Sequence, residues 1–368
     1  MNTSVASAMN ASAPESLCLL RLSALGDVSH VLPLVRQLQR TWPQTRLTWI
    51  IGKFEHRLMQ LIPDIEFIVF DKRQGWDAVR QLREQLARRR FDALLHMQLA
   101  LRANLLAAWV KADQRIGFDA ERSKELHGLV INKRIAYQPR QHVLDALCSF
   151  VQPLGLQPGS PCWDFPIPAE ANAFAESELP GNQATLLISP CSSHRLRNWH
   201  VDGYAAVARH AVNERGWRVA LCGGPSALER EVGTAILQQA GVPILDLIGR
   251  DTLPSLLALL QRADALLTPD SGPMHLANAV GTPVIGLHAA TASWRSGPYS
   301  DRQFCVDHYA EAAEQFLRKP VDRLPWGKRI EFDGVMSLIQ TTEVIDAFER
   351  VVAHRAGKRQ VQVADLAR

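Results

Sequence analysis

The chain is predicted to fold as two α/β domains, each a doubly wound parallel sheet of the Rossmann kind. Three observations carry that prediction. Strand-sized apolar runs alternate with amphipathic helical stretches, first over residues 16–153 and again over 184–287. A polar segment rich in Pro and Gly, 152–182, separates the two series. The length, 368 residues, suits two ordinary domains with sizeable cores.

In the first series, 17–22 reads as a buried strand. A helix follows over 28–40, because Val28, Val31, Leu32, Val35 and Leu38 recur on one face. Strand-like runs return at 47–51, 67–70 and 93–96, with helical patterns at 76–89, 100–110 and 141–153. In the second series, strands are expected near 184–189, 217–222, 243–247, 264–268 and 283–287. Helices are expected near 202–214, 226–240, 253–262 and 273–280. Ile339, Val344, Ile345, Phe348, Val351 and Val352 give 340–355 the pattern of an amphipathic terminal helix. The expected divisions are a loose tail (1–15), a first domain (16–165), a linker (166–182) and a second domain (183–338). A helix over 339–357 is expected to pack back on the first domain, before a polar tail over 358–368.

Composition excludes several classes. At 47% hydrophobic and 21% charged residues, the chain reads as soluble and globular. No apolar run reaches transmembrane length, and residues 1–15 lack the basic start and apolar centre of a secretion signal. The six cysteines show no Cys-x-x-Cys spacing, which suits reduced thiols in a cytoplasmic protein rather than a disulfide frame or a zinc site. A net charge of +4 is too weak to indicate nucleic acid. It suits an anionic substrate or membrane surface, and equally an ordinary protein surface.

The most informative stretch runs from Thr268 through Asp270-Ser271-Gly272-Pro273-Met274-His275 to Ala279. An apolar strand ends, the chain turns, and a helix begins whose free N–H groups at Ser271 and Gly272 suit phosphate. A strand follows at once, so this loop lies at the carboxyl edge of a βαβ unit, where α/β folds bind ligands. The implied ligand is a nucleotide diphosphate, and His275, within two turns, is read as a further phosphate donor. The opening turn of the second domain adds Ser192 and Ser193, whose hydroxyls suit phosphate oxygens. Arg195 and Arg197 there would neutralise a diphosphate. Trp199 reads as a packing residue. After Gly223-Gly224, Glu229 stands one turn into a helix, suited either to ribose hydroxyls or to an ordinary helix start. In the first βα turn, Gly26 suits a tight turn and Asp27 has two readings: helix cap, or general base for a hydroxyl nucleophile.

Absent motifs narrow the field. No Gly-x-Gly-x-x-Gly follows the first strand, no P-loop is present, and no Gly-x-Ser-x-Gly elbow occurs. No Asp-x-Asp is present to hold a divalent ion on a sugar nucleotide, so cationic side chains and helix dipoles would stabilise the leaving group.

Taken together, several motifs occur in order at matching spacings. They are Leu25-Gly26-Asp27-Val28 with Leu32-Pro33, Arg197-Asn198-Trp199, Gly223-Gly224-Pro225 with Glu229, and Asp270-Ser271-Gly272-Pro273-Met274-His275. The chain resembles the ADP-heptose:lipopolysaccharide heptosyltransferases, inverting glycosyltransferases of the GT-B fold, over roughly residues 16–355. The resemblance implies two Rossmann-like domains facing a central cleft. It implies Asp27 as catalytic base, and donor diphosphate contacts at Ser192, Ser193, Ser271, Gly272 and His275. It further implies Asp270 on the donor sugar and Glu229 on the ribose. Arg197 falls where many members have Lys, and Ala289-Ala290-Thr291-Ala292-Ser293 replaces a common Thr-Asp-Pro; these departures suggest a branch nearer heptosyltransferase I. That branch implies ADP-heptose as donor and the Kdo of Kdo2–lipid A as acceptor. No metal and no cofactor beyond the donor are implied. Arg57, Arg102 and Arg122 are the leading acceptor contacts, with Lys53, Lys124 and Arg134 behind them. A monomer docking transiently on the cytoplasmic face of the inner membrane is expected, with no nucleic-acid partner. Two alternatives stay open. A GT-B epimerase would alter its donor without an acceptor, and a non-catalytic nucleotide-sugar-binding protein would leave the donor intact.

Overall fold

The computed structural model describes residues 13–366, with side chains to residue 357, so residues 1–12 and 367–368 of the expected tails lie outside the described residues. The chain divides into two compact units, Met1–Pro166 and Ile167–Arg368.

The first unit holds six parallel strands: β1 (Ser16–Leu20), β2 (Arg46–Gly52), β3 (Ile65–Phe70), β4 (Phe91–His96), β5 (Ala112–Gly117) and β6 (Lys133–Arg134). Their order is β3-β2-β1-β4-β5-β6, so the direction of winding reverses between β1 and β4. Leu17 sits opposite Leu47 on one side and Ala93 on the other. Every residue of β1 is buried, as a strand covered on both faces requires. The helix expected over 28–40 is two helices, Leu25–Ser29 and Leu32–Thr41. Pro33 in the first turn of the second explains the break, because it has no N–H with which to continue the first. Strands β5 and β6 were not expected. Ala-Asp-Gln-Arg-Ile-Gly has too few apolar residues to read as a strand, and its ladder to β4 holds it instead.

The second unit repeats the pattern with β7 (Thr185–Ile188), β8 (Arg218–Leu221), β9 (Leu245–Asp246), β10 (Ala265–Pro269), β11 (Val284–His288) and β12 (Val306–Asp307). The order is β12-β11-β10-β7-β8-β9, and the reversal falls between β7 and β10. Part of the expected linker is a helix, Ala169–Glu178, that packs on the helix Leu253–Arg262 of this unit. Its buried residues are Ala171 and Ala175, too small to make an apolar period in the sequence. The terminal helix, Thr341–Leu366, runs past its expected end. Its residues Val344, Ala347, Phe348 and Val351 lie in the core of the second unit, against the expectation that it packs back on the first domain. Phe348 meets Trp217 edge-on at 5.1 Å, and Arg355 pairs with Asp264.

Candidate active site

In the first unit, the chain leaves β1 through a turn at 21–24. Strand β2 fixes it from one side, where Arg21 N–H donates to Ile50 O (3.2 Å) and Gly52 N–H to Leu22 O (3.0 Å). A Cβ at Gly52 would lie 2.4 Å from Leu22 O, so only Gly allows this approach. From the β4 side, Leu22 N–H donates to Gln98 Oε1 (2.7 Å). The Ser23–Ala24 peptide is cis. Gly26 lies within the helix Leu25–Ser29 and outside the left-handed region, so the tight turn falls just before it.

Asp27 does not cap this helix. Ala24 holds the N-cap position, and no side chain bonds there. The Asp27 carboxylate instead pairs with the Arg21 guanidinium, which also donates to Met97 O. Arg21 is 12% exposed and Asp27 36%, so a largely buried cation orients a carboxylate that solvent and ligands reach.

In the second unit, the loops leaving neighbouring strands β7 and β10 hold the expected phosphate residues. Ser271 is the N-cap of the helix Gly272–Ala279, and no side chain caps its first-turn N–H groups. The positive end of that helix is open to an anion. Thr268 Oγ1 and Ser271 Oγ share a hydrogen bond of 2.8 Å. Asp270 lies beside them, with His275 Nε2 3.7 Å from Oδ1 and Ser296 Oγ donating to Oδ2 (3.1 Å). Burial alone would raise its carboxyl. The His275, His288 and Thr291 side chains around it overcome that and hold it well below the usual carboxylate range. A permanent anion accepts hydrogen bonds from sugar hydroxyls and repels phosphate, which fits the sugar contact implied for Asp270 rather than a diphosphate contact.

Arg197, in the turn Arg195–Arg197, is 11% exposed, and its Nε lies 3.2 Å from Glu331 Oε1. Its Nη2 donates to Ser193 Oγ (3.4 Å). Burial lowers its pKa, the Asp270 carboxylate opposes that, and Arg329 adds to the lowering. Arg197 and Asp270 therefore share one electrostatic neighbourhood, as the motif reading expected of these two loops. Ser192 differs from expectation. Its hydroxyl donates to His194 O (2.9 Å) and accepts from His194 N–H (3.2 Å), so it closes its own loop, while Ser193 is exposed. Trp199 is buried, with its Nε1–H on Ile339 O (3.1 Å), the packing role expected of it.

Ser226 caps the helix Ala227–Ala240, and the Glu229 side chain folds back over that start. Its Oε1 accepts from Gly224 N–H (2.8 Å) and its Oε2 from Ser226 Oγ (2.6 Å), while Ser226 Oγ accepts from Glu229 N–H (3.3 Å). Cβ atoms at Gly223 and Gly224 would lie 3.1 and 3.0 Å from this carboxylate, which accounts for the Gly pair.

Of the acceptor candidates, Arg57 and Arg102 are exposed on the helices Lys53–Met59 and Leu101–Ala107. Arg122 is corrected to a structural residue. It is buried, pairs with Asp119, donates to Gln141 Oε1 (2.9 Å) and lies over the Phe118 ring. Its guanidinium is engaged within the fold. Several neighbours of the site escaped the sequence reading: Arg21, Gln98, Thr291, Ser296 and Glu331. The charge of Arg21 after an apolar strand end was the one signal that could have been used; the others sit in loops or, for Ser296, at the end of the short helix Ser293–Ser296, with no pattern.

Two Rossmann-like units, the second with an open helix end and a nearly buried arginine at its strand reversal, define a glycosyltransferase of the GT-B class. The chain belongs to glycosyltransferase family 9 (heptosyltransferase), whose profile matches residues 79–323. It is 39% identical over 339 residues to the lipopolysaccharide core heptosyltransferase OpsX of Haemophilus influenzae, covering 92% of this chain and 97% of that relative. The fold matches a family 9 glycosyl transferase structure from Veillonella parvula, with a TM-score of 0.75, 22% identity, and coverage of 92% of this chain and 97% of that one. It also matches the ADP-heptose lps heptosyltransferase II of E. coli, with a TM-score of 0.68, 17% identity, and coverage of 93% and 99%. No described helix is long and apolar enough to cross a membrane.

Proposed function

We propose that this enzyme transfers heptose from ADP-heptose to the Kdo of the lipopolysaccharide inner core with inversion. The observation that carries the donor half is that Arg197 interacts electrostatically with Asp270, the residue before the open helix end at Ser271, on loops from adjacent strands of the second unit. The family assignment and the name of the 39% identical relative support the sugar and the acceptor class.

In this reading the Asp27 carboxylate takes the proton of the acceptor hydroxyl as its oxygen attacks the anomeric carbon. The bond from that carbon to the diphosphate oxygen breaks, and ADP leaves with the electron pair. Arg197 and the N–H groups at Ser271 and Gly272 hold the developing charge, with Ser193 and His275 as further phosphate contacts. Asp270 binds heptose hydroxyls. The Glu229 cap shapes the Gly-Gly turn on which the ribose would rest. Arg57 and Arg102 receive the anionic acceptor. The enzyme works as a monomer on the cytoplasmic face of the inner membrane and needs no metal.

The test is incubation of the full chain with ADP-heptose and Kdo2–lipid A, followed by mass measurement of the lipid. A gain of one heptosyl residue, undiminished by EDTA, is expected. Donor consumed with no change in the lipid would point to an epimerase or hydrolase. Donor left intact would point to a binding protein.

A further inference from the structure

Among the described residues, eight of the nine large apolar side chains left exposed belong to the first unit, with Phe332 the exception. Four of the eight meet in one place. Leu101 and Leu105, 44% and 56% exposed, stand one turn apart on the helix Leu101–Ala107. Leu126 and Leu129, 62% and 80% exposed, project from the segment beside it.

A buried polar network locks these two elements together. Asn104 Nδ2 donates to Glu125 O (2.6 Å), and the Glu125 carboxylate accepts from Leu101 N–H. Asn104 Oδ1 meets His127 Nδ1 at 2.9 Å and His96 Nε2 at 2.7 Å. Phe118 N–H donates to His127 Nε2 (3.1 Å), which leaves the proton of the neutral ring on Nδ1, directed at Asn104. All three side chains are buried. The turn they hold is costly: Glu125 and Leu126 take φ of +53° and +68°, a left-handed region that bulky residues avoid. A rigid network thus maintains a strained turn whose outcome is leucines in water. Single exposed leucines need no explanation, but four on adjoining, locked elements do.

Charge identifies the occupant. Arg102, Lys124 and Arg134 are exposed beside these leucines, against Glu121 and a Glu125 already bonded to Leu101 N–H. Arg134 lies over Gly128, between the two projecting leucines, where an added Cβ would come within 3.1 Å of its Nη2. Apolar tips fringed by cations match a bilayer surface with anionic headgroups. We propose that the outer face of the helix Leu101–Ala107 and the adjoining segment 124–134 docks on an anionic lipid bilayer. This places the membrane contact of the proposed function and rests on that reading.

The test is sedimentation of the full chain with vesicles of phosphatidylethanolamine and phosphatidylglycerol, with neither donor nor acceptor present. Binding is expected, weaker on phosphatidylcholine and weakened by salt. L126E/L129E is expected to lose at least about tenfold in partitioning. Leu126→Gly guards against misfolding, because Gly relieves the left-handed φ; it should melt no lower than the parent and still bind vesicles less well. Phe332→Ser in the second unit should bind as the parent does. Failure of the parent to bind, or full binding by L126E/L129E, would overturn the proposal. So would a dimer that L126E/L129E dissociates while vesicle binding persists, since the face would then join two copies. Because no sugar is present, vesicle binding without heptosyl transfer would overturn the proposed reaction and leave this surface standing, and transfer without binding would do the reverse.

Discussion

The two units share one strand order and present their chemistry in opposite ways. In the second, the candidate donor-binding groups come in short sequence motifs at the strand reversal: a helix end at Ser271 and an arginine at 197 suited to an anion, and a carboxylate at 270 suited to sugar hydroxyls. In the first, one carboxylate stands alone, and residues from three strands direct it: Arg21 after β1, the β2 backbone, and Met97 and Gln98 after β4. Stabilising a leaving group calls for several modest donors on one short loop. Placing a base calls for one group held in a single orientation. The first task leaves a motif, and the second leaves mostly long-range contacts.

The largest expected effect falls on that lone carboxylate. Asp27→Ala should lower turnover by about 10³-fold while ADP-heptose affinity, read by calorimetry, stays within a few-fold. Near-normal turnover would remove the division of labour between the units. Arg197→Ala should cost about 10²-fold in kcat, with Arg197→Lys intermediate because Lys keeps the charge without the fork that reaches Glu331 and Ser193. Equal loss in both variants would show that the charge without the fork contributes nothing at this position, and full activity in Arg197→Lys that charge alone suffices.

Arg122 sharpens the comparison from the stability side. Its removal leaves Asp119 buried without its partner, so Arg122→Ala should destabilise the first unit by about 3 kcal/mol in urea unfolding. The folded fraction should keep its acceptor KM; a raised KM at unchanged stability would restore Arg122 as an acceptor contact. The smallest effect is the part of the pH dependence that two buried histidines of the first unit carry. Burial lowers His127 to about 4, helped by Arg134, and His96 to about 3, helped by His127. Histidines whose folded pKa is depressed bind protons more readily when unfolded. Their contribution to stability is therefore complete above about pH 6.5 and declines as pH falls towards 4. For His127 the full loss is at most about 3 kcal/mol. In thermal melts from pH 7 to 5, the Tm of His127→Gln should fall less, or rise more, than that of the parent; identical pH slopes would remove the network as a contributor.

The amino-acid sequence alone determined the two doubly wound units, most strands and helices, and the strand-to-helix turn at Ser271, since these follow from periodicity and from contiguous residues. Tertiary structure decided what depends on partners distant in sequence. Asp27 pairs with Arg21 rather than capping its helix, Arg122 is sealed against Asp119, and Glu229 folds back onto Gly224 N–H and the Ser226 hydroxyl. The helix Ala169–Glu178 and the terminal helix belong to the second unit, the first through its alanine face against the helix Leu253–Arg262 and the second through its apolar residues in the core. Local pattern reports which face of an element is apolar. Only packing reports which charge it meets, and that meeting separates a ligand contact from a buried strut.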